Sequence, residues 1–279
     1  MLFKNYKFRS VVLFVACSVT MPLQAAFDER YELTIGRSVT DFDAKIRINS
    51  RDDSVDKEID FEDRLGFDTT VRLGWVRGSW RMADRHRLAL LYMPIKRTSQ
   101  LTSQKDIDVA GNIIKSGASV ETEVKTHVFD IEYIYSFYKK PDLEIGVTAG
   151  IYWMNSLAEV SASGEIIIEG SDQAEFRTDY QSNQRLVAPL PLIGVKAAYE
   201  INQQWHARAS ARYLGVTIGD IEGRILNLNL STKYDFNNHL GLCAGLTSFD
   251  VSVQQNGVVF INALSYQYNA VQLYLVLKY

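Results

Sequence analysis

Four histidines, His86, His127, His206 and His239, are the side chains best suited to move protons near neutral pH in this chain. A lipid or acyl hydrolase could pair a histidine with a serine two places on, but the residues there are Leu88, Phe129, Arg208 and Gly241. A peptide hydrolase could instead activate water with paired aspartates and an Asp–His couple. Asp106-Ile107-Asp108 offers the pair and Asp84-Arg85-His86 the couple. A general base must lie within hydrogen-bond reach of the group it activates. The strand pattern below sends these two motifs to opposite ends of the molecule, some tens of ångströms apart at about 3.3 Å per residue. No histidines have metal-ligand spacing, and no glycine-rich phosphate loop is present. The acidic stretch from Arg51 to Asp63 lacks a calcium loop's spacing and central glycine, and reads as a solvated loop. The sequence therefore predicts no catalytic residue, no metal and no cofactor.

Charge at regular spacing is the other candidate chemistry. Asp130 and Glu132 interleave with Phe129, Ile131, Tyr133, Tyr135 and Phe137. Arg208 and Arg212 interleave with Trp205, Ala207, Ala209, Ala211 and Tyr213. Leu143 to Trp153 alternates in the same way around Glu144, and Leu226 to Phe236 around Lys233 and Asp235. A period of two sends successive side chains to opposite faces of a strand. Each stretch reaches the roughly 9–11 residues a tilted strand needs to cross a bilayer. An apolar outer face and a polar inner face is the pattern of a transmembrane β-barrel. Asp130, Glu132, Glu144, Lys196, Glu200, Arg208, Arg212, Lys233 and Asp235 are the predicted lumen-lining charges. Both signs together favour a salt-bridged filling over a selective ring of one sign.

Turns divide into short ones, at 83–86, 139–142, 202–204 and 237–238, and long polar ones, at 49–68, 102–118 and 161–185. Short inner turns and long outer loops are the barrel arrangement. Four inner turns and two inner termini give about ten antiparallel strands, with eight or twelve as alternatives. The 49–68 segment could hold a hairpin, and slips in alternation near Gly36–Thr40 and Val76 suggest bulges. Trp80, Phe137, Tyr138, Tyr199, Trp205, Tyr234, Phe236 and Tyr279 gather near the short turns, as an aromatic girdle would.

The N-terminus carries Lys4, Lys7 and Arg9, an apolar run from Val11 to Ala16, and small residues at Ala25 and Ala26. This is the plan of a secretory signal peptide, residues 1–25, before a single barrel domain, residues 26–279. A lipoprotein signal ending at Cys17 is the weaker alternative. Loss of the signal leaves 27 basic and 33 acidic residues, a net charge of −6. That disfavours nucleic acid, whose phosphates are met by Lys and Arg. Cys243 then stands alone, so no intrachain disulfide braces the exported fold.

The last segment carries Val271, Leu273, Leu275, Leu277 and Tyr279 on one face and ends on the aromatic. With the export signal and strand pattern, it resembles the small bacterial outer-membrane β-barrel superfamily, including OmpW-like and OmpA-transmembrane-domain-like proteins. The resemblance implies an outer-membrane location, contact with membrane lipid and lipopolysaccharide, and a terminal strand read by the barrel-assembly machinery. It implies a monomeric, non-enzymatic porin-like protein or narrow small-solute channel. One alternative is a closed structural or surface-interaction barrel whose outer loops meet lipopolysaccharide or a partner. A lipid or peptide hydrolase is third: the outer-membrane proteases called omptins use paired aspartates and an Asp–His couple near the outer rim, where this chain lacks the couple.

Overall fold

The computed structural model describes residues 29–50, 56–60, 62, 66–102, 107–109, 112–167, 174–218, 221–256 and 260–279. The expected signal peptide lies outside them. Ten long strands form the wall: β1 (Tyr31–Ser50), β3 (Thr70–Ala83), β4 (His86–Thr102), β7 (Ser119–Lys139), β8 (Leu143–Ile167), β9 (Ala174–Glu200), β10 (Trp205–Ile218), β11 (Ile221–Asp235), β12 (Leu240–Asn256) and β13 (Phe260–Lys278). Each pairs antiparallel with its neighbours, and β1 pairs with β13 from Glu32–Lys278 to Ser50–Phe260, closing the sheet into a ten-stranded barrel. Short strands extend the outer end. β2 (Asp56–Asp60) pairs with β1, and the hairpin β5 (Ile107–Val109) and β6 (Asn112–Ile114) pairs with β8.

Paired residues followed from Ile193 reach Tyr31 of β1 in one direction and Asp43 in the other. The register therefore shifts by about 12 residues round the ring, which with standard strand spacings sets a tilt of about 40° and a backbone radius of about 10 Å. The outward face turns polar at Asp41, Arg72, Lys96, His127, Asn155, Arg224 and Asp250, about ten residues above the short turns. Ten residues at that tilt rise about 25 Å, the height of the apolar band on outer-membrane barrels. Within the band Ile35, Leu90, Ile131, Ile193, Leu230, Leu246 and Leu273 are half or more exposed, a surface only lipid would cover well.

All four short turns lie at one end, with the aromatic girdle beside them: Trp80, Phe137, Tyr138, Tyr199, Trp205, Phe236 and Tyr279 point outward and exposed. Tyr31 and Tyr279 meet there at 6.4 Å between ring centroids. Three expectations need correction. The slips near Gly36–Thr40 and Val76 carry no register shift: pairing with β13 and β3 runs unbroken through the first, and Val76 keeps step with β1 while the β3–β4 register ends there at Val76–Tyr92. Position 36 faces inward by the parity of β1, and it holds glycine because a Cβ there would stand 2.5 Å from Trp75 and 2.7 Å from Tyr274. The bulges fall instead between Arg81 and Ala83, Ser136 and Tyr138, and Ala162 and Gly164. The stretch expected as a long loop at 161–185 is largely strand, since β8 and β9 continue pairing to Ile167–Ala174. Where Ala174 to Leu192 rises above the β10 pairing, Pro189 and Pro191 lack a ladder donor, and the β9–β10 register ends at Ile193–Tyr213.

Candidate functional site: the barrel lumen

Inward positions on ten strands converge on one axis, so residues distant in sequence meet across a narrow space. At the end near the short turns, Lys233 is fully buried and reaches Asp235 at 3.1 Å and Glu29 at 3.4 Å. Lys278 and His206 also contact Asp235, at 2.9 and 2.8 Å. Glu200 sits half-buried opposite His206. Arg208 grips Glu32 with two bonds of 3.0 and 2.8 Å across the lumen from β10 to β1. Arg81 binds Glu144 at 2.8 Å, and the Ser136 hydroxyl donates to the same carboxylate.

A second tier lies above. Glu132 accepts from Arg77 at 2.6 Å and Lys196 at 2.7 Å. Arg212 binds Asp130 at 2.9 and 2.7 Å and Asn227 at 3.1 Å, and stands 3.9 Å from Glu132. Asp130, Glu132 and Arg212 are each less than a tenth exposed. Charges so deeply placed need partners to offset lost hydration, and each of the three has at least one. A cavity of ≈ 230 Å³ opens beside them, bordered by Trp75, Arg77, Asp130, Lys196, Asn229 and Gln272.

Above the charges the lumen turns apolar. Tyr152, Phe249 and Tyr268 stack with centroids 4.9 and 5.0 Å apart, and Phe42 meets Tyr268 at 5.7 Å. Leu73, Met93, Ile95, Val128, Leu192 and Ile225 complete this layer from the surrounding strands. At its outer side Arg97 lies over Phe42 at 4.7 Å and Phe67 at 5.1 Å. Arg97 also binds Glu62 at 2.5 Å, and the Ala44 amide donates to Glu62 at 2.9 Å. Glu62 was expected in a solvated loop. Its side chain is instead only 7% exposed, held by Arg97, which also lies over Phe67.

The nine charges singled out in the sequence thus sit on inward positions of their strands. The others in these tiers, Glu29, Glu32, Arg77, Arg81, Arg97 and Lys278, were not singled out. Trp80 belongs to the outer girdle, so counting from it by twos would have placed Arg77 and Arg81 with their neighbours inside. Val271, Leu273, Leu275, Leu277 and Tyr279 all face outward, 45–85% exposed.

The hydrolase motifs do not meet. Asp84 lies in the short turn, where Lys139 binds it at 2.5 Å and holds its carboxyl below the usual range. His86 is taken by the Tyr133 hydroxyl at 2.5 Å. Asp108 lies in β5, paired through β6 to the far outer end of β8, and Asp106 falls outside the described residues. Among the described residues no group of three or more His, Cys, Asp or Glu side chains is placed to hold a metal ion.

No protein-family model matches the chain, and no curated protein matches it. Solved structures do. The outer membrane protease OmpT from Escherichia coli overlays at a TM-score of 0.54, with 12% identity, 94% of this chain covered and 100% of that one. The fold is that of bacterial outer-membrane β-barrels. Two looser overlays are the Pseudomonas putida toluene transporter TodX, at a TM-score of 0.36, 11% identity and 89% of both chains, and Ail, the attachment invasion locus protein of Yersinia pestis, at 0.28, 6% identity, 88% of this chain and 98% of that one. At 12% identity the likeness to OmpT is one of fold, and fold carries no activity across.

Proposed function

We propose that this protein is a monomeric, non-enzymatic barrel of the bacterial outer membrane whose lumen is closed, and which acts through its outer surface. The carrying observation is the stacked Tyr152–Phe249–Tyr268 layer directly above the Arg212–Asp130–Glu132 tier. An ion crossing that layer would give up its water for ring faces and the phenol hydroxyls of Tyr152 and Tyr268 alone. Among the two non-enzymatic readings, this favours the surface-interaction barrel over the porin-like channel. A narrow channel is the second reading, supported by the ≈ 230 Å³ cavity below the layer.

Location follows from the apolar band and from an export signal cleaved after residue 25. The outward Val271–Tyr279 face would serve the barrel-assembly machinery, and the polar ring above the band would meet lipopolysaccharide. OmpW-like or OmpA-transmembrane-domain-like kinship is the finer part of the resemblance, and the ten strands weigh towards the general superfamily. Planar-bilayer recording tests the closed lumen. The expected result is no steady conductance from the wild type; a stable open level would overturn it in favour of the channel.

A further inference from the structure

One charge lies inside the apolar band. Arg37 is exposed on the outward face of β1, between Ile35 and Val39, six residues above Tyr31 and four below Asp41. Among the described residues no other charged side chain faces outward between the short-turn end and the ring that starts at Asp41 and Arg72. An arginine near the middle of a lipid-facing wall is costly unless its head finds the interface or a counter-ion.

The wall around it is shaped to let that happen. Arg37 pairs with Gly74 across the β1–β3 seam, and a Cβ on Gly74 or Gly78 would meet nothing within 4 Å. No side chain of β3 therefore fills the space beside it. Arg72, also exposed, pairs with Val39, which makes it Arg37's diagonal neighbour one step nearer the outer surface. Diagonal neighbours stand about 7–8 Å apart, and a long arginine stem can climb along an apolar wall. Two guanidinium groups can thus reach one level, just inside the polar ring. On the other side of β1 the outward wall of β13, β12 and β11 is apolar and exposed at Leu228, Leu230, Leu246, Val271 and Leu273.

We propose that Arg37 and Arg72 hold a phosphate of an outer-leaflet glycolipid, with its acyl chains against the neighbouring wall. This rests on the outer-membrane reading above and adds the site and the ligand's chemistry. Charge decides the occupant. A second copy of the chain would bring no acid to Arg37's depth, whereas a phosphate at the leaflet surface accepts from two guanidinium forks.

The test is native mass spectrometry of the barrel released from vesicles containing lipid A with two phosphates, its dephosphorylated form, or phosphatidylcholine plus inorganic phosphate. The wild type should retain lipid A at least tenfold more than either control. Arg37→Gln with Arg72→Gln should abolish that preference, while Lys125→Gln, on a cation paired with Glu123 and Glu159, should keep it. Equal retention by the double variant overturns the site, as does retention that ignores the phosphates or crosslinking of copies through β1. A wild type that fails to insert in vesicles removes the membrane reading and this site together; one that inserts without the preference removes the site alone.

Discussion

Arg212→Ala would strip Asp130 of its arginine, since the two bonds of 2.9 and 2.7 Å come from that guanidinium. Glu132 would keep Arg77 and Lys196, so the damage concentrates on one carboxylate that is 5% exposed. Breaking one member of a buried pair costs about 3–5 kcal/mol, while a water-filled lumen would reduce this towards about 0–1 kcal/mol. The neighbouring cavity of ≈ 230 Å³ lets some water approach Asp130, so a loss of about 3 kcal/mol is expected, at the low end of the buried range. Replacing both partners by apolar residues of similar volume, Asp130→Leu with Arg212→Met, should recover most of it, because no charge is left unpaired. Guanidinium unfolding of the barrel in lipid vesicles, followed by tryptophan fluorescence, measures each value, and the cycle gives the coupling. Adding Arg208→Ala to Arg212→Ala also frees Glu32, and should lower stability further while the ring layer above keeps the lumen closed to ions. Unchanged stability in the single variant, or a double replacement as costly as the summed singles, would refute the closed, salt-bridged lumen.

Two further outcomes test the wall. Gly36→Val must displace Trp75, 2.5 Å from the new Cβ; a loss of about 1–3 kcal/mol with a shifted tryptophan emission is expected. Leu246→Arg, at mid-band and 56% exposed, should cost about 2–4 kcal/mol in vesicles, and Tyr279→Ser should reduce insertion without reducing export, read by membrane fractionation.

Alternation exposed the strands β7, β8, β10 and β11 because each carries at least four outward apolar residues interleaved with polar ones. It failed on β1 and β3 for a physical reason. There the inside holds Trp75 and Leu73, the outside holds Arg37, Gly74 and Gly78, and hydrophobicity no longer reports the face. That failure hid Arg77, Arg81 and Glu32, and so partners of Glu132, Glu144 and Arg208. The apolar layer was hidden differently. Tyr152 stands inward between outward Ile151 and Trp153, whereas Phe249 and Tyr268 stand inward beside outward Ser248, Asp250, Gln267 and Asn269, so hydropathy does not report the face, and only the twelve-residue register shift brings the three rings to one level. Burial of Glu62 is a tertiary event with no local signature in an acidic run.

The seam between β1 and β13 can be read as the pitch setting of a wound spring. Sliding it by two residues keeps every side chain on its proper face and every backbone bond intact, yet changes the backbone radius by about 0.7 Å with standard strand spacings. The wall alone would tolerate that change. Its contents would not, because the Arg208–Glu32 strut crosses from one side to β1 itself, and the stacked rings above it close at contact distance. The lumen is therefore the gauge against which the closing register is checked, and a barrel emptied by mutation should lose its single pitch before it loses its strands.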